Sequence, residues 1–446
     1  MNAHFNTRPL AHRTGLAVVL AAALAGCATS PQPPEPASPK TTAPHAQPHA
    51  QASAEPAAPP AAVVPHAAAP SDEAARFAAW LAAFRAEARA AGIREATLQA
   101  ALDPAQLRPR TIELDRNQAE FTRAIWDYLD TAVSPTRVAN GQARLAQVQR
   151  EADAASARYG VPVAVLMAVW GMESNYGSNY GDVPVVDALA TLAFEGRREA
   201  WARQELLTAL RIIDQGHIDR AHMIGSWAGA MGQTQFMPSA FMAHAVDADG
   251  DGRRDIWRSM ADVLASTANY LHKAGWRSGE PCAHEVVLPP GFDPERADPA
   301  VRQATSQWAQ EGVRSVAGDR LPDMADAAIL QPAGVHGPAF LAGANFRAVL
   351  RYNNATSYAL GVCHLAHRIA GGGPISAPWP RDQRPLSRSE VQALQTALAR
   401  RGLNPGAADG VMGPATRSAV RAFQRSLGLP ADGFATATLL ERAMTP

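Results

Sequence analysis

An isolated glutamate at the end of an apolar segment is well placed in this sequence for acid–base chemistry. Residues 163–172, VAVLMAVWGM, carry no charge, and Glu173 follows directly within Glu-Ser-Asn-Tyr-Gly. Pro162 marks the first turn of a predicted helix that delivers this carboxyl to a turn. Apolar neighbours such as Trp170 disfavour the charged form and raise a carboxyl pKa above about 4.3. Glu173 is therefore a candidate general acid for glycosidic cleavage. A helix cap or an arginine partner explains the same local sequence equally well.

A second group of acidic residues has the spacing of a calcium-binding loop. Four aspartates stand at EF-hand positions 1, 3, 5 and 9: Asp247, Asp249, Asp251 and Asp255. Gly252 occupies position 6, and Arg253 at position 7 would offer only its backbone carbonyl. The pattern departs from the EF-hand at Arg254, where an aliphatic residue is usual, and at Arg258, where a glutamate is usual. The residues thus admit either a structural calcium site or a metal-free turn held by the arginines.

The three cysteines divide between the amino terminus and the body of the chain. Basic residues and an apolar stretch at 15–24 precede Leu-Ala-Gly-Cys27, which resembles the lipobox of bacterial lipoproteins. That resemblance implies cleavage before Cys27, lipidation of its thiol, and anchoring at the periplasmic face of the outer membrane, since Ala28 follows it. Cys282 and Cys363 are then available to pair in an oxidising compartment.

The sequence predicts four parts after the signal peptide at 1–27: a tether, a large helical domain, a linker and a small helical unit. Residues 28–70 are rich in Pro and Ala and form a disordered tether, because they cannot bury enough apolar surface to fold. Residues 71–372 contain helical patterns throughout, with residues 284–288 as the best candidate strand. A linker at 373–385 leads to a small helical unit at 386–446, where Ser387 and Glu390 form a capping box. The predicted fold class is mainly α.

Four motifs in the central part resemble those of the lytic transglycosylase B family of bacterial cell-wall enzymes. They are Glu-Ser-Asn-Tyr-Gly at 173–177, DALATLAFEGRR at 187–198, GSWAGAMGQTQFMPS at 225–239 and RYNNATSYAL at 351–360. The resemblance implies a lysozyme-like helical domain that cleaves peptidoglycan between N-acetylmuramic acid and N-acetylglucosamine. It also implies that Glu173 acts alone, first as acid and then as base, and that the product is a 1,6-anhydro sugar.

The same resemblance assigns further residues to the site. Those implied to bind substrate are Ser226, Gln235, Tyr352, Asn353 and Tyr358. No cofactor is implied for the chemistry. Some family members hold calcium in a longer loop closed by a later aspartate, which here would be Asp262.

Residues 386–446 resemble the peptidoglycan-binding domain, a module of three helices. Matching positions include the two repeated pairs Asp409-Gly410 and Asp432-Gly433. Most matching positions are turn or core residues, so the match specifies the fold, and binding to peptidoglycan is what the family implies.

The composition limits the classes of partner. The 41 basic and 41 acidic residues give a net charge of zero, which argues against nucleic-acid binding by phosphate neutralisation. Peptidoglycan strands, and a membrane through the lipid anchor, are the expected partners. Two alternatives remain: a wall-tethering lipoprotein without activity, and a lysozyme-type muramidase that adds water.

Overall fold

The computed structural model describes residues 72–116 and 123–445. Cys27 and the tether predicted at 28–70 lie outside the described residues. The prediction of a mainly helical chain is confirmed. Within the described ranges, no single helix has the length and apolar composition to cross a membrane. One pair bent by 113°, Ile125–Tyr159 with Val163–Ser174, meets those criteria only when both helices are counted together.

The helices that precede the main sheet build a body with two hydrophobic cores. In the described residues these helices are α1 (Asp72–Ala90), α2 (Glu95–Leu102), α3 (Pro109–Arg116), α4 (Ile125–Ala132), α5 (Pro135–Tyr159), α6 (Val163–Ser174), α7 (Val185–Glu195), α8 (Glu199–Asp214), α9 (Pro238–His244) and α10 (Met260–Lys273). A short antiparallel pair joins β1 (Val183–Pro184) to β2 (Ile224–Gly225).

Helix α6 lies in the interior of this body. Its residues are apolar on every face, and all those from Val165 to Gly171 are buried, as expected for a helix without a polar side. It packs against α5, α10 and α13 (Thr356–Ile369). Because these neighbours surround it, the end of α6 has a defined position.

A four-stranded antiparallel sheet interrupts the helical pattern between α10 and α12 (Ala344–Tyr352). Its order is β4 (Arg314–Ser315), β3 (His284–Val287), β6 (Ala339–Ala342) and β5 (Ala328–Leu330). Helix α11 (Thr305–Gln310) and two short 3₁₀ turns, Pro294–Arg296 and Gly334–His336, complete this segment, which has its own core around Trp308. The strand expected at 284–288 is present as β3. Strands β4 and β5, of two and three residues, are too short to show an alternating pattern, and β6 is buried at all four positions, so its residues do not alternate.

The carboxy-terminal unit consists of α14 (Arg388–Arg400), α15 (Pro414–Ser426) and α16 (Ala437–Met444) around a separate core. The capping box of Ser387 and Glu390 is confirmed. The linker before it is held to the sheet, because the Glu285 carboxylate accepts backbone N–H bonds from Ser376 and Ala377.

Candidate active site

Glu173 lies in the last turn of α6, where Tyr358 from the first turn of α13 donates a hydrogen bond to its Oε1. Burial raises the pKa of Glu173 to about 7, and the Tyr358 hydroxyl opposes that shift by a smaller amount. Part of the Glu173 residue is exposed to solvent, but its carboxyl group is surrounded by protein. Glu173 is therefore about half protonated at neutral pH, and its hydrogen-bond partner is a tyrosine, not an arginine.

The turn after Glu173 has an uncommon backbone conformation. Asn175 and Tyr176 have φ angles of 48° and 58°, a region that side-chain-bearing residues rarely adopt. The Tyr176 hydroxyl donates to the carbonyl of Arg137 at 2.9 Å. A Cβ at Gly171 would lie 2.6 Å from the Tyr176 ring, so only glycine fits there. These contacts hold the end of α6, and with it the Glu173 carboxyl, in one place.

Ser226 and Gln235 lie in the loop that joins β2 to α9. Ser226 Oγ accepts two backbone N–H bonds from its own turn, at 3.1 and 3.3 Å, so its hydroxyl proton is the group left to donate. Gln235 has a φ of 51°. Its Nε2 donates to the carbonyls of Tyr180 at 3.0 Å and Gly232 at 2.9 Å. Both amide protons are thus used to shape the loop, and Oε1 remains as an acceptor.

Gln233 belongs to the same loop and lies within the motif at 225–239, but it is not among the residues that the resemblance assigns to the site. It is buried, and its Oε1 accepts from the Trp170 indole at 2.8 Å while its Nε2 donates to the Trp257 carbonyl at 2.7 Å. A Cβ at Gly177 would lie 2.3 Å from its Oε1. Gln233 therefore joins α6, just before Glu173, to the end of the acidic loop. The feature of the sequence that could have marked Gln233 is its polar amide side chain within a run of small and apolar residues.

Tyr352 connects the two cores of the helical body, since it packs against both. Its hydroxyl donates to the Thr234 carbonyl at 2.6 Å. Its ring lies 4.6 Å from that of Tyr270 and 5.7 Å from that of Phe236, measured between centroids. Phe236 is itself buried, so it supports Tyr352 and offers little surface for stacking on a sugar. The loop of Gln235 and the end of α12 are thus joined through this cluster.

Asn353 and Tyr128 lie on two other elements. Asn353 is exposed at the carboxy-terminal end of α12. Tyr128, on α4, was not predicted from the sequence. Burial, and then the charge of Glu173, raise the pKa of Tyr128, which places its hydroxyl within electrostatic reach of that carboxyl. Nothing in the local sequence around Tyr128 distinguishes it from a core tyrosine.

Two of the other carboxyls near Glu173 in sequence form ion pairs. Asp187 pairs with Arg108 at 2.7 Å and with Arg220 at 2.5 Å, and Glu195 pairs with Arg116 at 2.9 Å. Both carboxyls therefore serve as ion-pair partners. Asp182 is exposed.

Three of the four aspartates of the acidic loop converge. Carboxylate oxygens of Asp247, Asp249 and Asp251 lie within 4.8 Å of one another, and such hard oxygen donors suit calcium. The Arg253 side chain is exposed, and its backbone N–H donates to Asp251 at 2.8 Å. Across the described ranges, no salt bridge joins this arginine or its basic neighbours in the loop to those acids.

Asp255 and Asp262 serve the backbone of the loop. Asp255 Oδ1 accepts N–H bonds from Trp257 and Arg258, both at 2.9 Å. Asp262 is buried in α10, and its two oxygens accept from the amides of Ala248 and Asp255, each at 2.7 Å. Burial raises the pKa of Asp262 to about 6. Asp262 therefore holds both ends of the loop, while the three converging aspartates provide the donors that fit a cation.

Cys282 and Cys363 are joined by a disulfide. It links the segment that enters the sheet to α13, the helix that carries Tyr358. The bond is thus part of the framework that holds Tyr358 beside Glu173.

Two family descriptions match the chain. The family described as "Transglycosylase SLT domain" matches residues 76–367, and the peptidoglycan binding domain family matches residues 387–442. A curated relative, membrane-bound lytic murein transglycosylase B of Escherichia coli (strain K12), is 32% identical over 289 residues, which are 61% of this chain and 77% of that protein.

Solved structures resemble this one over most of its length. SltB3 from Pseudomonas aeruginosa in complex with NAG-anhNAM-pentapeptide is 50% identical, with a TM-score of 0.81 over 83% of this chain and 99% of that chain. Lytic transglycosylase Slt35 from Escherichia coli in complex with calcium is 29% identical, with a TM-score of 0.57 over 67% of this chain and 94% of that chain.

Proposed function

The chain belongs to the lytic transglycosylases of the SLT domain family, and on that premise we propose that Glu173 alone carries the acid–base chemistry. The enzyme cleaves peptidoglycan. The proposed bond is the β-1,4 link between N-acetylmuramic acid and N-acetylglucosamine, and the proposed product ends in 1,6-anhydromuramic acid. The observation that carries the proposal is a buried carboxyl with a pKa of about 7 at the end of α6.

In the first step, Glu173 protonates the oxygen that leaves with N-acetylglucosamine. A carboxyl with a pKa near 7 is both protonated often enough and acidic enough for this transfer at neutral pH. The Tyr358 hydroxyl, which donates to Oε1, stabilises the carboxylate that forms. As the C1–O glycosidic bond breaks, the 2-acetamido oxygen of the muramic acid bonds to C1 from within the substrate.

In the second step, the Glu173 carboxylate removes the proton from the C6 hydroxyl of the muramic acid. The C6 oxygen then bonds to C1 while the bond between C1 and the 2-acetamido oxygen breaks, and the proton returns Glu173 to its starting state. Because both nucleophiles belong to the substrate, the reaction needs no second carboxylate, in contrast to the usual glycosidase pair. No water is added.

The neighbouring polar groups position the substrate in this proposal. The bonds that shape the loop leave the Ser226 hydroxyl proton free to donate and Gln235 Oε1 free to accept. These two atoms form hydrogen bonds with the amide and hydroxyl groups of the sugar. Asn353 offers a further amide from an exposed position. Tyr352 holds its segment against the loop through Thr234.

The proposal extends to the remaining parts of the chain. Residues 71–372 form the catalytic domain, residues 373–385 the linker, and residues 386–446 the module that binds peptidoglycan. Lipidated Cys27 anchors the protein to the periplasmic face of the outer membrane. A Cys27→Ser chain that still sediments with membranes after signal-peptide removal would contradict this anchoring.

Asp247, Asp249 and Asp251 are proposed to hold a structural calcium ion, with Asp262 supporting their loop. Calcium should then raise the melting temperature of the wild-type chain, and Asp249→Asn should remove that increase. An equal increase in both proteins would exclude the loop as the binding site.

The catalytic assignment is tested by mass spectrometry of the soluble products from purified peptidoglycan. Glu173→Gln should release no anhydromuropeptides while remaining folded, whereas Asp182→Asn, which alters an exposed carboxyl nearby, should retain activity. Products heavier by one water would indicate a muramidase, and no product from the wild type would indicate a tethering protein. Anhydro products from Glu173→Gln would refute the role of this residue.

A further inference from the structure

The two Asp-Gly loops of the carboxy-terminal module have the same hydrogen-bond network. In the first, Gln395 Nε2 donates to Asp409 Oδ1 at 3.0 Å, and Gly410 N donates back to Gln395 Oε1 at 2.9 Å. In the second, Gln424 Nε2 donates to Asp432 Oδ1 at 2.6 Å, and Gly433 N donates to Gln424 Oε1 at 2.9 Å.

The match extends to the residue after each glycine. Val411 N donates to Asp409 Oδ1, and Phe434 N donates to Asp432 Oδ1, both at 2.9 Å. Each glutamine amide also reaches the carbonyl of this residue, at 3.1 Å in the first loop and 3.3 Å in the second. The two loops are therefore equivalent in backbone conformation and in the placement of the aspartate.

The second loop is covered by another part of the chain. Asp432 Oδ2 accepts the backbone N–H of Val335 at 3.0 Å, and Ala333 packs in the cluster that includes Phe434. A Cβ at Gly334 would lie 2.4 Å from Asp432 Oδ2. The loop thus holds a short segment of small residues, Ala-Gly-Val, by one peptide amide and one apolar contact.

The first loop presents the same groups to solvent. Asp409 is exposed, and among residues 72–116 and 123–445 its hydrogen bonds use Oδ1 and not Oδ2. Arg388 lies beside it and donates to the Asp409 backbone carbonyl at 2.7 Å. Val411, which corresponds to Phe434, is one of the few exposed large apolar residues in those ranges, at 52% exposure. The acceptor and the apolar surface that hold 333–335 in the second loop are therefore uncovered in the first.

We propose that the first loop, through Asp409 Oδ2 and Val411, binds the stem peptides of peptidoglycan. The inference rests on the proposed wall-binding function and names the part of the wall that this module contacts. An alanine-containing stem peptide offers what the segment 333–335 offers: a free backbone N–H next to a small apolar side chain. A bare glycan strand presents no comparable peptide run, so the loop distinguishes peptide-bearing strands from denuded ones.

The test is cosedimentation with insoluble sacculi. The full chain carrying Glu173→Gln is the parent, so that the sacculi are not digested. Asp409→Asn keeps the Oδ1 acceptor and replaces Oδ2 by a donor, so it should bind native sacculi about tenfold more weakly, which is about 1.4 kcal/mol. Asp432→Asn makes the same change in the covered loop and should bind within about twofold of the parent. Val411→Ser, at an exposed position, should also weaken binding.

Sacculi stripped of their stem peptides by an amidase provide the second comparison. The parent and Asp409→Asn should bind them equally. Equal binding of those two proteins to native sacculi, or an equal loss in Asp409→Asn and Asp432→Asn, would overturn the proposal. A dimer of the parent that Asp409→Asn abolishes would also overturn it, because the occupant would then be a second copy of the chain. Failure of the catalytic proposal appears separately, in the products of the wild-type enzyme.

Discussion

Replacing Glu173 by glutamine should stabilise the protein, and the gain should depend on pH. Burial raises the pKa of Glu173 from its ordinary value of 4.5 to about 7, so the folded state retains a proton that the unfolded chain releases between these values. Below pH 4.5 both states are protonated, and the residue contributes no pH dependence. Between pH 4.5 and about 7 the unfolded chain is ionised while the folded wild type keeps its proton, so its free energy of unfolding falls across this range. Above about 7 the folded state holds a buried carboxylate as well, and the fall levels off.

The size of this effect follows from the two pKa values. At 1.36 kcal/mol for each pH unit, the difference between 4.5 and about 7 corresponds to about 3 kcal/mol. Glutamine does not titrate, and it keeps an oxygen that accepts from Tyr358. The difference in unfolding free energy between Glu173→Gln and the wild type should therefore grow by about 3 kcal/mol from pH 4.5 to pH 8.5.

Urea unfolding at a series of pH values, followed by tryptophan fluorescence, measures this difference. Other titrating groups are common to both proteins, so their contributions cancel. Glu195→Gln is the control of opposite sign, because the Arg197 backbone amide and then Arg116 hold the pKa of Glu195 below its ordinary value. That variant should lose stability near neutral pH, and the loss should shrink as the solution becomes acidic. A difference for Glu173→Gln that does not change with pH would refute the reasoning.

Two further substitutions test the support of Glu173. Tyr358→Phe removes the hydroxyl that lowers the pKa of Glu173, so kcat should fall and the alkaline limb of its pH profile should move upward; an unchanged limb would contradict this contact. Gln233→Leu leaves the Trp170 indole and the Trp257 carbonyl without their partner in the interior, and urea unfolding should show a loss of about 1–3 kcal/mol. Unchanged stability of this variant would show that other groups replace both bonds.

The position of Glu173 could be predicted because local features determine it. An uncharged helix must be buried, and a carboxyl at its end is desolvated with it, which is the cause of the raised pKa. The contact with Tyr358 joins residues 185 positions apart. No local pattern contains it, and only the family resemblance placed Tyr358 near the site. Tyr128 was missed because it reads locally as an ordinary core residue. Gln233 was missed because its partners, Trp170 and Trp257, are distant in sequence.

The linker before the carboxy-terminal module shows why the remaining architecture was harder to predict. A Pro-rich segment favours an extended backbone whether it is solvated or bound. The sequence therefore does not show whether the linker is solvated or packs against the catalytic domain. In the structure the linker is bound: Arg381 forms two hydrogen bonds with Asp130, at 2.7 and 3.0 Å. The Glu285 carboxylate, on β3, accepts from the backbone amides of Ser376 and Ala377.

The connections between the strands of the same sheet supply partners of the module itself. Asp298 pairs with Arg421 at 2.9 Å, and Val335 donates to Asp432 at 3.0 Å. One side of the module is therefore occupied by contacts within the chain. Because these contacts cover the Asp432 loop, Asp409 is the exposed one of the two equivalent aspartates. The two Asp-Gly repeats are similar in sequence, so the sequence alone does not show which of them is covered.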